Sequence, residues 1–213
     1  TLSIASGLHH RDLSFLFAGV FLPEEIAFKN SVENFVRICS AVRGFQGIKI
    51  GLVGPRPERF ETCTFNEIAL LKEFRQRIVP ISSADIFYAA NEIPDKDSEL
   101  QETIQEIKSQ SETSDLNKGV LEKMAQLECA LRRFAKERKL VGMGIRCWPT
   151  TIQSYGVLPC HIMGRLTDQG VMSSCEADIY GALSMLLQYQ VTMQSSVPHF
   201  IDWTAQHPER KDV

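Results

Sequence analysis

Gly170-Val171-Met172-Ser173-Ser174-Cys175-Glu176-Ala177-Asp178-Ile179-Tyr180-Gly181-Ala182-Leu183 holds a change of period. Its apolar start, Gly170 to Met172, is too short for anything but a strand or a loop entering one. After it, Ile179, Leu183, Leu186 and Leu187 recur at three- and four-residue steps and share one helical face. Two carboxylates, Glu176 and Asp178, therefore sit where a strand hands over to a helix. Open α/β sheets place their ligands at that edge. Acidic residues also favour helix N-termini for a plainer reason, since they accept from free N–H groups and complement the dipole. Both readings of the acidic pair are open at this point.

The same alternation extends upstream. Ile48 to Gly54 is a strand rich in β-branched residues and bounded by glycine and proline. Pro55-Arg56-Pro57-Glu58-Arg59-Phe60 is a stiff loop, followed by a helix from Asn66 to about Gln76. Ile78 to Ile81 is the next strand, and Ser82-Ser83-Ala84-Asp85 opens another helix. Leu100, Ile104 and Ile107 mark a short amphipathic helix. Leu116, Val120, Met124, Leu127, Leu131 and Phe134 run down one face of a long one, over residues 116–139. Val141 to Cys147 is a strand broken by glycines, which let another backbone or a ligand come close. Trp148 to Thr151 leaves it as a loop, and a helix is expected from Val157 to Leu166. Pro198 to Trp203 is a last strand candidate. Repeated β-α units with short strands predict an α/β fold. The sheet should be Rossmann-like, mainly parallel and flanked by helices, continuing into the start of a second α/β domain.

The expected organisation is an N-terminal linking segment over 1–45, a Rossmann-like domain over 46–140, and a second domain beginning over 141–213. Within the first segment a helix is expected from an N-cap at Ser31. The apolar run Ser14 to Leu22 should be covered by something. His9-His10 has no carboxylate or cysteine spaced to join it as a metal site, and is taken as a polar pair. The glycines after the first strand spell neither GxGxxG nor a P-loop, so no dinucleotide or ATP site is expected. Arg56 and Arg59 are candidates to hold an anion or a sugar hydroxyl.

Composition narrows the function classes. The 213 residues are 44% hydrophobic and carry a mixed net charge of −3, which argues against nucleic acid or an anionic membrane surface as partner. No apolar run approaches the roughly 20 residues needed to span a bilayer. Six cysteines without CxxC or regular spacing suggest reduced, buried thiols and a cytoplasmic location. The chain begins at Thr1, without a methionine or a secretory signal, which suggests a piece of a longer protein.

Four motifs in one order give the chain a resemblance. They are Ile48-Lys-Ile-Gly-Leu-Val-Gly-Pro-Arg-Pro-Glu-Arg-Phe60, Gly144-Ile-Arg-Cys-Trp-Pro149, Cys175-Glu-Ala-Asp-Ile-Tyr-Gly-Ala-Leu183 and Phe200-Ile-Asp-Trp-Thr204. The chain resembles the L-fucose isomerase family, which includes D-arabinose and, more distantly, L-arabinose isomerases. The resemblance implies interconversion of an aldose and a ketose through an enediol, with Mn²⁺ or another divalent cation holding two neighbouring sugar oxygens. A hydroxyl-bearing C–H is a very weak acid, so such chemistry needs charge stabilisation and a positioned base. Carried over by position, Glu176 and Asp178 become the catalytic and metal-binding carboxylates. Arg146, Trp148 and Arg56 line the sugar cleft. The family likeness also implies a homo-oligomer, for which Phe15 to Leu22 is a candidate contact.

Two departures weigh on that reading. Many family members carry a glutamate just after the Cys-Trp-Pro, where this chain has Thr150, which is neither a charged ligand nor a base near neutral pH. The family's metal histidine belongs to a segment that His199 and His207 do not match. The alternative is a catalytically altered sugar-binding or regulatory relative on the same fold. A third reading, a nucleophilic Cys147, Cys160 or Cys175, lacks a histidine placed to serve as base.

Overall fold

The computed structural model describes residues 2–201 and Glu209. The chain divides into two compact units between Cys39 and Ser40. In the first, α1 spans Leu2–His9 and most of α2, Ile26–Phe45, follows. The helix expected from Ser31 thus starts five residues earlier. Pro23 fixes the entry and Glu24 and Glu25 complement its N-terminus. Residues 14–22 have no regular structure. They are not covered as expected: Phe15, Leu16, Phe17, Val20 and Leu22 are exposed. His9 ends α1 and His10 follows it, both exposed.

The second unit is built on four strands: β1 (Lys49–Val53), β2 (Arg77–Ile81), β3 (Gly142–Ile145) and β4 (Met172–Ser174). All pairs are parallel, in the order β2-β1-β3-β4. The helices are α3 (Glu67–Phe74), α4 (Ser83–Asn91), α5 (Ser98–Gln110), α6 (Lys118–Arg138), α7 (Thr150–Ser154), α8 (Cys160–Asp168) and α9 (Ile179–Val191). This is an α/β fold with a parallel sheet flanked by helices. The expected boundary at residue 140 falls between strands of one sheet, since β1 pairs with β3 from Ile50–Gly142 to Val53–Ile145.

Side chains alternate between the two faces of the sheet, and each face has its own core. Val53, Ile81, Met143 and Ile145 pack with Ile86 of α4, Leu100 and Ile107 of α5, Leu131 of α6 and Leu166 of α8. Ile50 and Ile78 face the other way, onto Leu70 of α3 and Ile179, Ala182 and Leu183 of α9. Gly142 and Gly144 lie on this second face. A Cβ at Gly142 would stand 2.6 Å from the Met172 carbonyl oxygen, and one at Gly144 2.9 Å from the Ala177 carbonyl carbon. The glycines of β3 are what allow β4 and the turn after it to approach.

Two helix boundaries differ from expectation. α8 begins at Cys160 rather than Val157 because Pro159 occupies its N-cap position, and Val157 is buried in the core instead. The loop expected from Trp148 to Thr151 turns helical at Thr150, where the Thr151 hydroxyl donates to the Arg146 carbonyl. Residues 198–201 are not a strand. Asp202, Trp203, Thr204 and His207 lie outside the described residues.

Candidate functional site

A sheet ordered β2-β1-β3-β4 has its switch point between β1 and β3, because the chain leaves β1 on one side for β2 and returns on the other for β3. Ligands bind outside the carboxyl ends of the strands at such a point. Two of the sequence-predicted site segments lie there: Arg56 after β1, and Arg146 and Trp148 after β3. Glu176 and Asp178 follow β4, one strand further along the same edge.

The turn from β4 into α9 is tight and strained. Glu176 and Ala177 both have left-handed backbones, at φ 55° and 58°, which costs a non-glycine residue on the order of 1 kcal/mol each. The surrounding bonds fix this conformation. Ala177 N–H donates to the Ile145 carbonyl at 3.1 Å, and Asp178 N–H to the Cys175 carbonyl at 3.0 Å. The Ser174 hydroxyl donates to the Asp178 carbonyl. Asp178 is the N-cap of α9, its Oδ1 accepting from Gly181 N–H at 2.9 Å. The plain capping role anticipated for one of the two acids therefore belongs to Asp178. Glu176 has a different environment. Its Oε1 accepts from the Cys147 thiol at 3.2 Å, while its Oε2 is buried with no hydrogen-bond partner among the described residues.

In sequence, Cys147 and Cys175 read as thiols without a histidine base. The structure sets their sulfurs 3.2 Å apart, beside Glu176. The Cys175 thiol, by hydrogen bonding, holds Cys147 below the ordinary thiol value, against the opposing effects of burial and the Glu176 charge. Both cysteines lie one or two residues past the ends of adjacent parallel strands. Nothing in the sequence showed that β3 and β4 are neighbours, so the pairing could not be found there. All six cysteines are thiols rather than disulfides, and Cys63, Cys129 and Cys147 are buried.

Arg56 comes into the electrostatic range of the acidic turn at Cys63. Burial raises the Cys63 pKa first, and the charges of Asp178 and Glu176 raise it further; Thr62 and Arg56 oppose them. Tyr180, in the first turn of α9, accepts from Asn66 N–H at 3.0 Å and ties α9 to the chain after β1. Arg146 packs its stem beside Gly54, where an added Cβ would lie 3.2 Å from the Arg146 Cβ, and its Nε is buried without a partner among the described residues. Trp148 is exposed and joined to Pro149 by a cis peptide. Thr150 lines a cleft of about 540 Å³ with Gly54, Pro55, Ser82 and Ser83.

A divalent cation is a matter of donor chemistry here. Two carboxylates at one turn suit a hard ion such as Mn²⁺ in charge and donor type. The orphan Oε2 of Glu176 is a buried anionic oxygen of the kind a cation satisfies. Asp178 has one oxygen committed to its cap. Among the described residues, the set of donors that converges within 4.8 Å is Cys147, Cys175 and Glu176, without Asp178.

Fold and edge define a parallel α/β protein with an acidic, thiol-flanked turn at the carboxyl end of its sheet. The chain is similar to the sulfoquinovose isomerase of Alkalicoccus urumqiensis, with 28% identity over 174 residues, 82% of this chain and 38% of the relative. The sulfoquinovose isomerase of Priestia aryabhattai is 25% identical over 182 residues, covering 84% of this chain and 39% of that one. That of Clostridium sp. (strain MSTE9) is 26% identical over 182 residues, covering 83% and 39%. The chain spans about two fifths of the length of these curated relatives. No family model matches it.

Proposed function

We propose that this chain is part of a sugar aldose–ketose isomerase, with the β4–α9 turn as its catalytic carboxylate centre. The observation that carries the reading is Glu176 itself. A carboxylate oxygen sealed from water, without a partner, on a strained backbone at the ligand edge of the sheet is costly to fold. The likeness to isomerases over four fifths of the chain supplies a chemistry that uses it.

Glu176 Oε2 is the oxygen suited to take a proton from one sugar carbon and return it to the next. Glu176 and Asp178 would together hold a divalent cation, whose role is to draw charge from the two neighbouring sugar oxygens. Arg56, Arg146 and Trp148 line the sugar side. The relatives' name makes sulfoquinovose, an aldose bearing a sulfonate, the first substrate to try, and the two arginines suit an anionic substituent. Six thiols favour a reducing compartment, the cytoplasm. The exposed apolar run Phe15 to Leu22 supports a homo-oligomer. Among the described residues, no helix is long and apolar enough to cross a membrane.

The test is isomerisation of sulfoquinovose, fucose and arabinose by the full natural protein, with and without Mn²⁺. Turnover that needs a divalent cation and falls by about a hundredfold or more in Asp178→Asn is the expected result. Turnover unchanged in that variant would remove Asp178 from the site, and turnover unchanged in Glu176→Gln would overturn the site assignment. A second reading rests on Thr150, which stands in the cleft where the resembled family often has glutamate. A sugar-binding relative would be stabilised against heat by sugar and show no turnover.

A further inference from the structure

Three donor atoms meet at the end of β3 and β4, and they are not the trio an oxygen-loving cation selects. We infer that Cys147, Cys175 and Glu176 form a site for a thiophilic divalent cation of the Zn²⁺ or Cd²⁺ class.

The geometry carries this. Cys147 Sγ lies 3.2 Å from Cys175 Sγ and 3.2 Å from Glu176 Oε1, and the three ligand atoms all fall within 4.8 Å of one another. A tetrahedral ion bonded to both sulfurs at about 2.3 Å needs them about 3.8 Å apart, a small opening of the present separation. A disulfide, with its S–S bond of about 2.05 Å, would need them to close by more than 1 Å. Two thiolates and one carboxylate neutralise a divalent ion with one negative charge over, and softer sulfur donors select Zn²⁺ or Cd²⁺ above Mn²⁺.

A second observation points the same way. Glu176 Oε2 is buried without a hydrogen-bond partner among the described residues. The carboxylate is held at a left-handed residue between Cys175 and the glycine-accommodated Ala177, so it stays beside the sulfurs. Entry is available because Cys175 lines a cavity of about 640 Å³ together with Cys160, His161 and Ser173. Binding forms two metal–sulfur bonds, releases the two thiol protons to solvent and transfers no electrons. Remaining coordination positions are open to water or to donors on the cavity wall.

The site goes beyond the isomerase reading and shares one residue with it. A thiophilic ion engaging Glu176 would take from the reaction the carboxylate assigned to proton transfer, so Zn²⁺ is expected to inhibit where Mn²⁺ supports. The binding test uses no sugar, so its outcome is independent of whether the protein turns over an aldose.

The experiment is titration of the reduced full chain with Cd²⁺, read by the ultraviolet thiolate-to-cadmium charge-transfer band, and with Zn²⁺ by calorimetry. One ion per chain is expected, with the band lost in Cys147→Ser and in Cys175→Ser and the affinity weakened in Glu176→Gln. Alkylation of the wild-type protein, mapped by mass spectrometry, needs no variant. Zn²⁺ should protect the half-buried Cys175 and leave the exposed Cys39 reactive. Absence of binding, a band that survives both serine variants, or a Cys147–Cys175 disulfide in the protein as isolated would each overturn the site.

Discussion

Two glutamates in this molecule carry oxygens that water does not reach, and they have opposite surroundings. Glu128, on α6, has no exposed surface and a full set of partners. Arg165 Nε donates to its Oε2 at 2.7 Å and Arg165 Nη2 to its Oε1 at 3.1 Å, with Gln169 Nε2 donating to Oε1 at 3.1 Å. Arg165 is itself nearly buried and reaches Glu106 at 2.6 Å and Gln110. Among the described residues, Glu176 has one thiol donor on one oxygen and nothing on the other. The first sits on relaxed helix and locks α6 to α8. The second sits on strained backbone at the edge of the sheet. Burying a carboxylate tells little by itself; whether its lone pairs are filled separates a structural clasp from a site.

The contrast breaks most readily on stability. Glu128→Ala leaves the buried Arg165 with Glu106 and Gln110 as its remaining partners, and is expected to cost about 3 kcal/mol, the low end for breaking a buried ion pair. Glu176→Gln keeps the acceptor for Cys147 and removes a charge that has no ion pair. It is expected to change stability by less than about 1 kcal/mol while abolishing the proposed proton transfer. Urea midpoints of the two variants decide it. If Glu176→Gln unfolds the protein as Glu128→Ala does, the second glutamate is as structural as the first.

Only one of these glutamates could be found in the sequence, and for a reason that had little to do with its partners. Glu176 drew notice because it stands at a change of period, where a strand becomes a helix. The strands 49–53 and 77–81, and helices α3 to α6, follow from local signals such as the start at Asn66 and the spacing Leu100, Ile104, Ile107. Nothing local distinguishes Glu128 from the other charges of α6. Its partner is 37 residues away, and only the packing of α8 on α6 brings them together. The thiol pair was hidden in the same way, by the adjacency of β3 and β4. The early start of α2 is hard to read because Ser31 fits a cap while Pro23-Glu24-Glu25 lies in a stretch with no clear period.

A glycine sharpens the comparison at the next level of effect. The acidic turn rests on β3 only because Gly144 has no side chain. A Cβ there would lie 2.9 Å from the Ala177 carbonyl carbon, 3.1 Å from its oxygen and 3.2 Å from Asp178 N. These are backbone atoms, which cannot swing aside as a side chain would. Gly144→Ala is therefore expected to destabilise by about 1–3 kcal/mol and to push the turn away from β3. The Glu128–Arg165 clasp, between α6 and α8, should be untouched. Loss of the Ile145–Ala177 hydrogen bond, seen as faster amide exchange at Ala177 with unchanged exchange in α6, would confirm it. Accelerated exchange throughout α6 would show instead that the two regions yield together.

The smallest effect separates the two acids of the turn. Asp178 caps α9 through one oxygen, and asparagine and aspartate cap about equally well. Asp178→Asn should therefore leave the melting temperature nearly unchanged, whereas Asp178→Ala, which deprives Gly181 N–H of its acceptor, should cost about 1 kcal/mol. Catalysis divides them differently, because neither asparagine nor alanine can bind a cation as a carboxylate does. Both variants are expected to lose turnover, though only one loses stability. That pattern would assign Asp178 two roles on two oxygens, a cap and a ligand. If Asp178→Asn keeps full turnover and Asp178→Ala loses only what its lower stability accounts for, Asp178 is a cap alone. The chemistry of the turn would then rest on Glu176, whose remaining oxygen the fold leaves unfilled.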